Sequence, residues 1–379
     1  MEQRSQQSRL QNNNGTSSNG TSSNGLSSKN NTQTQFQSYL DDLHHRYQSC
    51  TDGKVADYIP ELALANPQWF GISVADVNGR YFEVGDCAQL FTIQSISKAF
   101  IYGLALEDHG RDYVQCKVSV EPTGEAFNSI VLDQSTNRPY NPMVNTGAIA
   151  TTDLIKGDNS TERLKRVLAM FKRYTGRDHD VNMPVFLSER TTGHRNRAIA
   201  YLMLNFGMVT ERIEETLDLY FQQCAVMVTA RDLAIMGATL ANRGVNPITG
   251  ERALDERYVQ DVVSVMFTCG MYNYSGAWAC KVGLPAKSGV GGGITALAPK
   301  RLGLGVFSPP LDARGNSVRG VDVCRDLARD FGLHVFDIAK PKHDLEQFMA
   351  PHCPLEAQGA AGQPTVSLDG PTDSAAHLY

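Results

Sequence analysis

The spacing of apolar and polar positions places strands at both ends of the folded part of the chain and helices between them. From about Gln35 to Tyr47 apolar residues recur at helical intervals, and Gly53 to Pro60 follows as a turn and short connection. The period then changes. Phe70-Gly71-Ile72-Ser73-Val74-Ala75-Asp76-Val77 and Arg80-Tyr81-Phe82-Glu83-Val84-Gly85 read as two strands, joined by Asn78-Gly79, the pair that favours a two-residue hairpin turn. After them Ile96, Ala99, Phe100, Gly103, Leu104 and Leu106 fall at helical spacings, predicting an amphipathic helix that Gly110 stops.

The middle third is mainly helical, with helices predicted over residues 145–155, 198–205, 213–223 and 229–242; the last has Thr229 and Asp232 as an N-terminal box and Gly244 beyond its end. Ile294 to Ala298 and Leu302 to Ser308 restore the strand period, and a helix from about Asn316 to Phe331 closes the pattern. The simplest packing is an α+β one: a single antiparallel sheet assembled from the N- and C-terminal thirds, flanked by helices, with an all-helical subdomain beside it.

Composition changes this picture at the ends. Residues 1–35 are almost wholly Gln, Asn, Ser, Gly and Thr, too polar to bury a core, and are expected to be a disordered tail. Residues 339–379, with several prolines and a Gly/Ala stretch near Gly359, are expected to be a flexible C-terminal tail. Residues 36–338 remain as the folded domain. Of the 379 residues 41% are hydrophobic, the net charge is −5 and basic residues do not cluster, so neither nucleic acid nor an anionic membrane is an expected partner. No apolar run reaches the length of a membrane span, and the opening residues carry no apolar stretch of the secretory kind. The eight cysteines are scattered, without C-x-x-C or zinc-site spacing, and read as reduced thiols of a cytoplasmic protein.

The candidate chemistry centres on Ser95-Ile96-Ser97-Lys98 at the start of the predicted helix. Positions three apart share a helix face, so Lys98 can serve Ser95, and a lysine kept neutral by burial can take a hydroxyl proton. Lys287-Ser288-Gly289 matches the K-S/T-G element that accompanies S-x-x-K in serine hydrolases. Asn141-Pro142-Met143-Val144-Asn145 is a rigid turn suited to presenting an amide into a cleft, and no S-D-N triplet stands there. Gly289-Val290-Gly291-Gly292-Gly293 lacks the lysine and hydroxyl that follow the glycines of a phosphate loop. Close backbone approach is the better role, with the N–H of Val290 joining that of Ser95 as an oxyanion hole.

Together with Ser188-Glu189-Arg190-Thr191-Thr192, Asn196-Arg197-Ala198-Ile199-Ala200 and Phe307-Ser308-Pro309-Pro310-Leu311-Asp312, these blocks resemble the serine-dependent glutaminases, in order, from about Lys54 to Phe336. The resemblance implies a β-lactamase/penicillin-binding-protein-like fold and hydrolysis of L-glutamine to L-glutamate and ammonia through a serine acyl-enzyme, without metal or cofactor. It implies Ser95 as nucleophile and Lys98 as base; in the mechanism expected from these residues, burial and a nearby positive Lys287 keep Lys98 neutral, and Tyr272 protonates the leaving ammonia. Tyr58, Asn145, Glu189, Asn196, Tyr220, Tyr272 and the backbone of Val290 are implied to surround the substrate. A homo-oligomer, dimer or tetramer, is implied as well. The set suits free glutamine: Glu189 answers the ammonium, and neutral amide and hydroxyl donors answer the carboxylate.

Overall fold

The computed structural model describes residues 34–125, 129–337 and 340–350. Strands β1 (Gly71–Asp76) and β2 (Tyr81–Gly85) form the hairpin expected around Asn78-Gly79. Two-residue strands β3 (Phe91–Thr92) and β4 (Met227–Val228) pair antiparallel by themselves. The C-terminal third supplies β5 (Ala286–Ser288), β6 (Gly293–Ala298) and β7 (Leu302–Phe307). The main sheet runs β2-β1-β7-β6-β5, antiparallel throughout, so the first hairpin pairs with the last strand, as the pattern anticipated.

Every residue of β1, β6 and β7 is buried because helices cover both faces. On one face Ile72, Val74, Ala296 and Leu304 share a core with Phe36 and Leu40 of the helix Gln35–Gln48 and with Val323 and Leu327 of the helix Val318–Asp330. On the other lies the helix Ala230–Ala241, which Thr229 and Asp232 start with a complete capping box. Two glycines set that approach. A Cβ on Gly303 would stand 2.0 Å from the Ala238 nitrogen, and one on Gly305 2.0 Å from the Ala230 carbonyl oxygen, so only glycine lets the helix lie this close.

The helices between β2 and β5 form the all-helical part. Asn145–Asp153, Met183–Thr192, His194–Asn205 and Ile213–Cys224 pack around Ile149, Phe186, Ile199, Leu217 and Phe221. The sequence pattern did not single out Ser160–Thr175 or Glu256–Cys269, which are also helices here.

Two expectations change. The helix after Ser95 runs over Ser97–His109 and is not amphipathic: every residue from Ser97 to Leu106 is buried. It is a central helix, touched by the helices Asn145–Asp153, Ser160–Thr175 and Glu256–Cys269, so it has no solvent face to carry polar residues. The loose tail expected from residue 339 begins instead with a helix, Leu345–Met349, capped by Asp344. Leu345 and Met349, four apart, bury together against the core of the first helix, and Phe348 meets Phe331 edge-on. The rest of that tail, and the N-terminal one up to residue 33, lie outside the described residues. Thr34 caps the first helix through the Gln37 N–H.

Candidate active site

Ser95 stands in a single 3-10 turn, Gln94–Ile96, that leads into the buried helix. The turn begins from Gln94 at φ +50°, a left-handed conformation costly for a residue with a side chain, and the surrounding bonds hold it there. The Ser97 hydroxyl donates to the Gln94 carbonyl at 2.8 Å, and the Gln94 side-chain amide donates to Thr92 Oγ1 at 3.2 Å. The result is a nucleophile that is 7% exposed at the floor of a cavity of about 290 Å³.

The cavity is lined by Tyr58, Gln94, Ser95, Asn145, Glu189, Asn196, Tyr220, Cys224 and Val290, with Thr192, Gly193 and Arg195 at its helical side. Seven of the residues foreseen from the sequence therefore meet here. Each comes from a different place: Tyr58 from the segment before β1, Asn145 from a helix start, Glu189 and Asn196 from two consecutive helices, Tyr220 from the next, Val290 from the loop after β5.

Lys98 and Lys287 lie beneath the pocket and are both wholly buried. The Lys98 amine donates to Asn145 Oδ1 at 2.6 Å, and Asn145 Nδ2 donates in turn to Asn196 Oδ1 at 3.0 Å. Both ends of the Asn145 amide are thus committed, which fixes Asn196 with its NH₂ group turned to no described acceptor and open to a ligand. Burial lowers the Lys98 ammonium to about 8, against a smaller opposing pull from Cys224 and Glu189. Lys287, on the edge strand β5, is pushed well below the ordinary lysine value, first by burial and then by Lys98. Each lysine disfavours the charge of the other, and burial is the largest cause of the lowering in both. The Lys287 amine donates to the carbonyls of Gly270 and Ser288 at 2.9 and 2.7 Å and sits 4.1 Å from the centre of the Tyr272 ring.

Tyr272 does not line the cavity but approaches it through its hydroxyl, which interacts with Ser95 and donates to the Ser288 carbonyl at 2.8 Å. It occupies a left-handed position, φ +58°, locked by the Ser275 hydroxyl, which accepts from the Met271 N–H and donates to the Tyr272 carbonyl. Burial raises its phenol, so the hydroxyl keeps its proton at neutral pH.

At the other end, the Tyr58 hydroxyl lies 2.6 Å from Glu189 Oε1 and 3.2 Å from Gln94 Oε1, although half of the Tyr58 surface is exposed. Burial raises the Glu189 carboxyl, while Tyr58, Lys98 and Gln94 oppose that rise. The glycine loop behaves as close approach requires. A Cβ on Gly289 would meet the Ile93 oxygen at 2.8 Å and one on Gly291 the Thr92 oxygen at 2.7 Å, so the loop presses directly on the strand and turn that carry Ser95. The Val290 N–H has no acceptor among the described residues, and neither is one supplied to first-turn N–H groups by a helix itself.

Sequence reasoning missed Gln94, Cys224 and Arg195. Gln94 ties Thr92, Tyr58 and Glu189 together, and Cys224 lies close to Ser97 and Tyr220; no local pattern announces either. No group of three or more His, Cys, Asp or Glu placed to hold a metal occurs among the described residues. The seven described cysteines are free, and Cys353 lies outside the described residues. No described helix is long and apolar enough to cross a membrane.

The sequence model of the Glutaminase family matches residues 53–336. A glutaminase of Microcystis aeruginosa is 71% identical over 314 residues, covering 83% of this chain and 93% of its own length. One of Trichormus variabilis is 66% identical over 301 residues, covering 79% and 90%. Among solved structures, the probable glutaminase YbaS superposes with a TM-score of 0.78 at 41% identity, over 80% of this chain and 98% of the other. Mglu in its glutamate form gives 0.77 at 43%, over 80% and 70%. A Bacillus subtilis probable glutaminase gives 0.74 at 35%, over 79% and 97%.

Proposed function

This chain belongs to the glutaminase family, and from that premise we propose that it hydrolyses the side-chain amide of L-glutamine through a glutamyl ester on Ser95. The observation that carries the reading is the position of Ser95: a buried hydroxyl beside Tyr272, one helical turn before a lysine lowered to about 8, in a pocket that also holds the Glu189 carboxylate.

Glu189 takes the substrate ammonium, and the free NH₂ of Asn196 with the tyrosine hydroxyls takes the carboxylate, leaving the side-chain amide directed at Ser95. Neutral Lys98 accepts the Ser95 proton as Oγ attacks the amide carbon. The N–H groups of Val290 and Ser95 receive the negative oxygen. Tyr272 gives its proton to the departing nitrogen and recovers one from Lys98, so ammonia leaves and the ester remains. Water then adds to the ester, its proton passing to Lys98 and on to Ser95, and glutamate is released. Lys287, its ammonium lowered by burial and its amine bonded to two carbonyls, holds Tyr272 and β5 in register.

The antiparallel sheet with its edge Lys287-Ser288-Gly289 and its helical part supports a β-lactamase-like fold. The resemblance to the family supports a homo-oligomer and a cytoplasmic place of action. The test is ammonia release from L-glutamine, L-asparagine and D-glutamine beside turnover of a chromogenic β-lactam. Preference for L-glutamine supports the reading; cleavage of the β-lactam with L-glutamine untouched would show that Glu189 and Asn196 are not amino-acid ligands.

A further inference from the structure

A second cavity, of about 510 Å³, lies behind Tyr272. Its walls include Val144, Phe267, Thr268, Cys269, Tyr272 and Gly276, and it shares no lining residue with the pocket of Ser95. The two are nonetheless one side chain apart. Tyr272 lines the second cavity while its hydroxyl interacts with Ser95, and Val144 lines the second cavity while Asn145, the next residue, lines the first.

That arrangement matters once the ester forms. The glutamyl group then occupies the 290 Å³ pocket, with its charged end toward Glu189 and Asn196, between Ser95 and the way the substrate came in. Ammonia is released where its proton arrives, at the hydroxyl of Tyr272, a residue that also lines the second cavity. The nucleophile for the ester must approach the same carbon while the pocket is still full. The lining suits a small guest and not a second amino acid: its described residues are neutral apart from Glu125, and none of them is a cation that could receive a carboxylate.

We propose that this cavity is the leaving-group and acceptor subsite, through which ammonia departs and water, or another small uncharged amine, reaches the ester. With hydroxylamine as acceptor, its nitrogen bonds to the ester carbon, the bond to Ser95 Oγ breaks, and the proton lost by the amine returns to Ser95, giving the glutamyl hydroxamate. The inference rests on the glutaminase reading above.

The test fills the cavity. A Cβ at Gly276 meets nothing within 4 Å, so Gly276→Phe projects a ring into open space. Thr268→Phe, at an exposed lining position of the helix Glu256–Cys269, adds a ring from a second element. In both folded variants KM for L-glutamine should stay within about twofold, while kcat falls about fivefold or more and the hydroxamate-to-glutamate ratio with hydroxylamine drops. Parent kcat and parent partition ratio in both filled variants would remove the proposal. The parent protein offers a check that needs no variant: at neutral pH it should use hydroxylamine, which is largely uncharged there, as an acceptor and reject glycine, whose carboxylate the lining cannot receive. Equal use of glycine overturns the subsite. Ammonia release by the parent, read against Ser95→Ala, separates the two levels: without it the glutaminase reading and the subsite fall together, whereas a turning-over parent matched by its filled variants removes the subsite alone.

Discussion

Replacing Lys98 by Met should make the protein inactive and, at neutral pH, more stable. Lys98 has no exposed surface, and burial brings its ammonium from 10.5 to about 8. At about 1.4 kcal/mol per pH decade, that gap places about 3 kcal/mol of penalty on the protonated folded state. Between about 8 and 10.5 the unfolded chain holds this proton and the folded chain does not, so stability rises with pH through that window. Below about 8 the full penalty is present. Met has a similar volume and no charge, but it leaves Asn145 Oδ1 without its donor. That orphaned oxygen costs about 1–3 kcal/mol, so the net gain at pH 7 is up to about 2 kcal/mol. By pH 10 the parent has shed most of its penalty, and the order of the two proteins should reverse. Urea unfolding followed through Trp69 and Trp278 at both pH values measures the difference. A variant less stable than the parent at pH 7, or a difference that does not change with pH, would refute the reasoning.

Three further outcomes follow from the same geometry. Glu189→Gln keeps the shape but loses the charge that faces the ammonium, and should lower kcat/KM by about 10–150-fold, mostly through KM, as steady-state kinetics will show. Gly289→Ala forces a Cβ to within 2.8 Å of the Ile93 oxygen and displaces the Val290 N–H; kcat should fall by about 10–100-fold with KM little changed, and an unaltered kcat would separate this loop from the oxyanion. The pH profile of kcat/KM should climb roughly tenfold per pH unit below about 8 and then level, because Lys98 must be neutral to act as base; a profile flat from pH 6 to 9 would reassign the base.

The parts of the fold that the sequence announces are those with local signals. Asn78-Gly79 sets a hairpin and Thr229 with Asp232 a helix start because neighbours in sequence decide them. Ser95, Lys98 and Lys287 are legible for a related reason, since each sits in a short motif whose spacing is its chemistry. β3 and β4 are two residues each, too short to show a period. The buried helix Ser97–His109 looks amphipathic in sequence because its polar residues are satisfied by partners such as Asn145, not by water. Glu189, Asn196 and Tyr58 could be named only through likeness to a family. Gln94 and Cys224 escaped notice because their roles arise from contacts to residues far along the chain, Gln94 with Glu189 and Cys224 with Ser97. Nor does anything in the sequence around Tyr272 announce that it parts two cavities.

The central claim is the glutamyl ester on Ser95, and the most direct measurement is rapid-quench mass spectrometry of the peptide carrying Ser95 during turnover of L-glutamine, with Ser95→Ala alongside. The account predicts a glutamyl adduct on Ser95 that forms as ammonia is released, and a Ser95→Ala protein that folds but neither carries the adduct nor releases ammonia. Ammonia release at near-parent rates by Ser95→Ala, or an adduct on another residue, would contradict it.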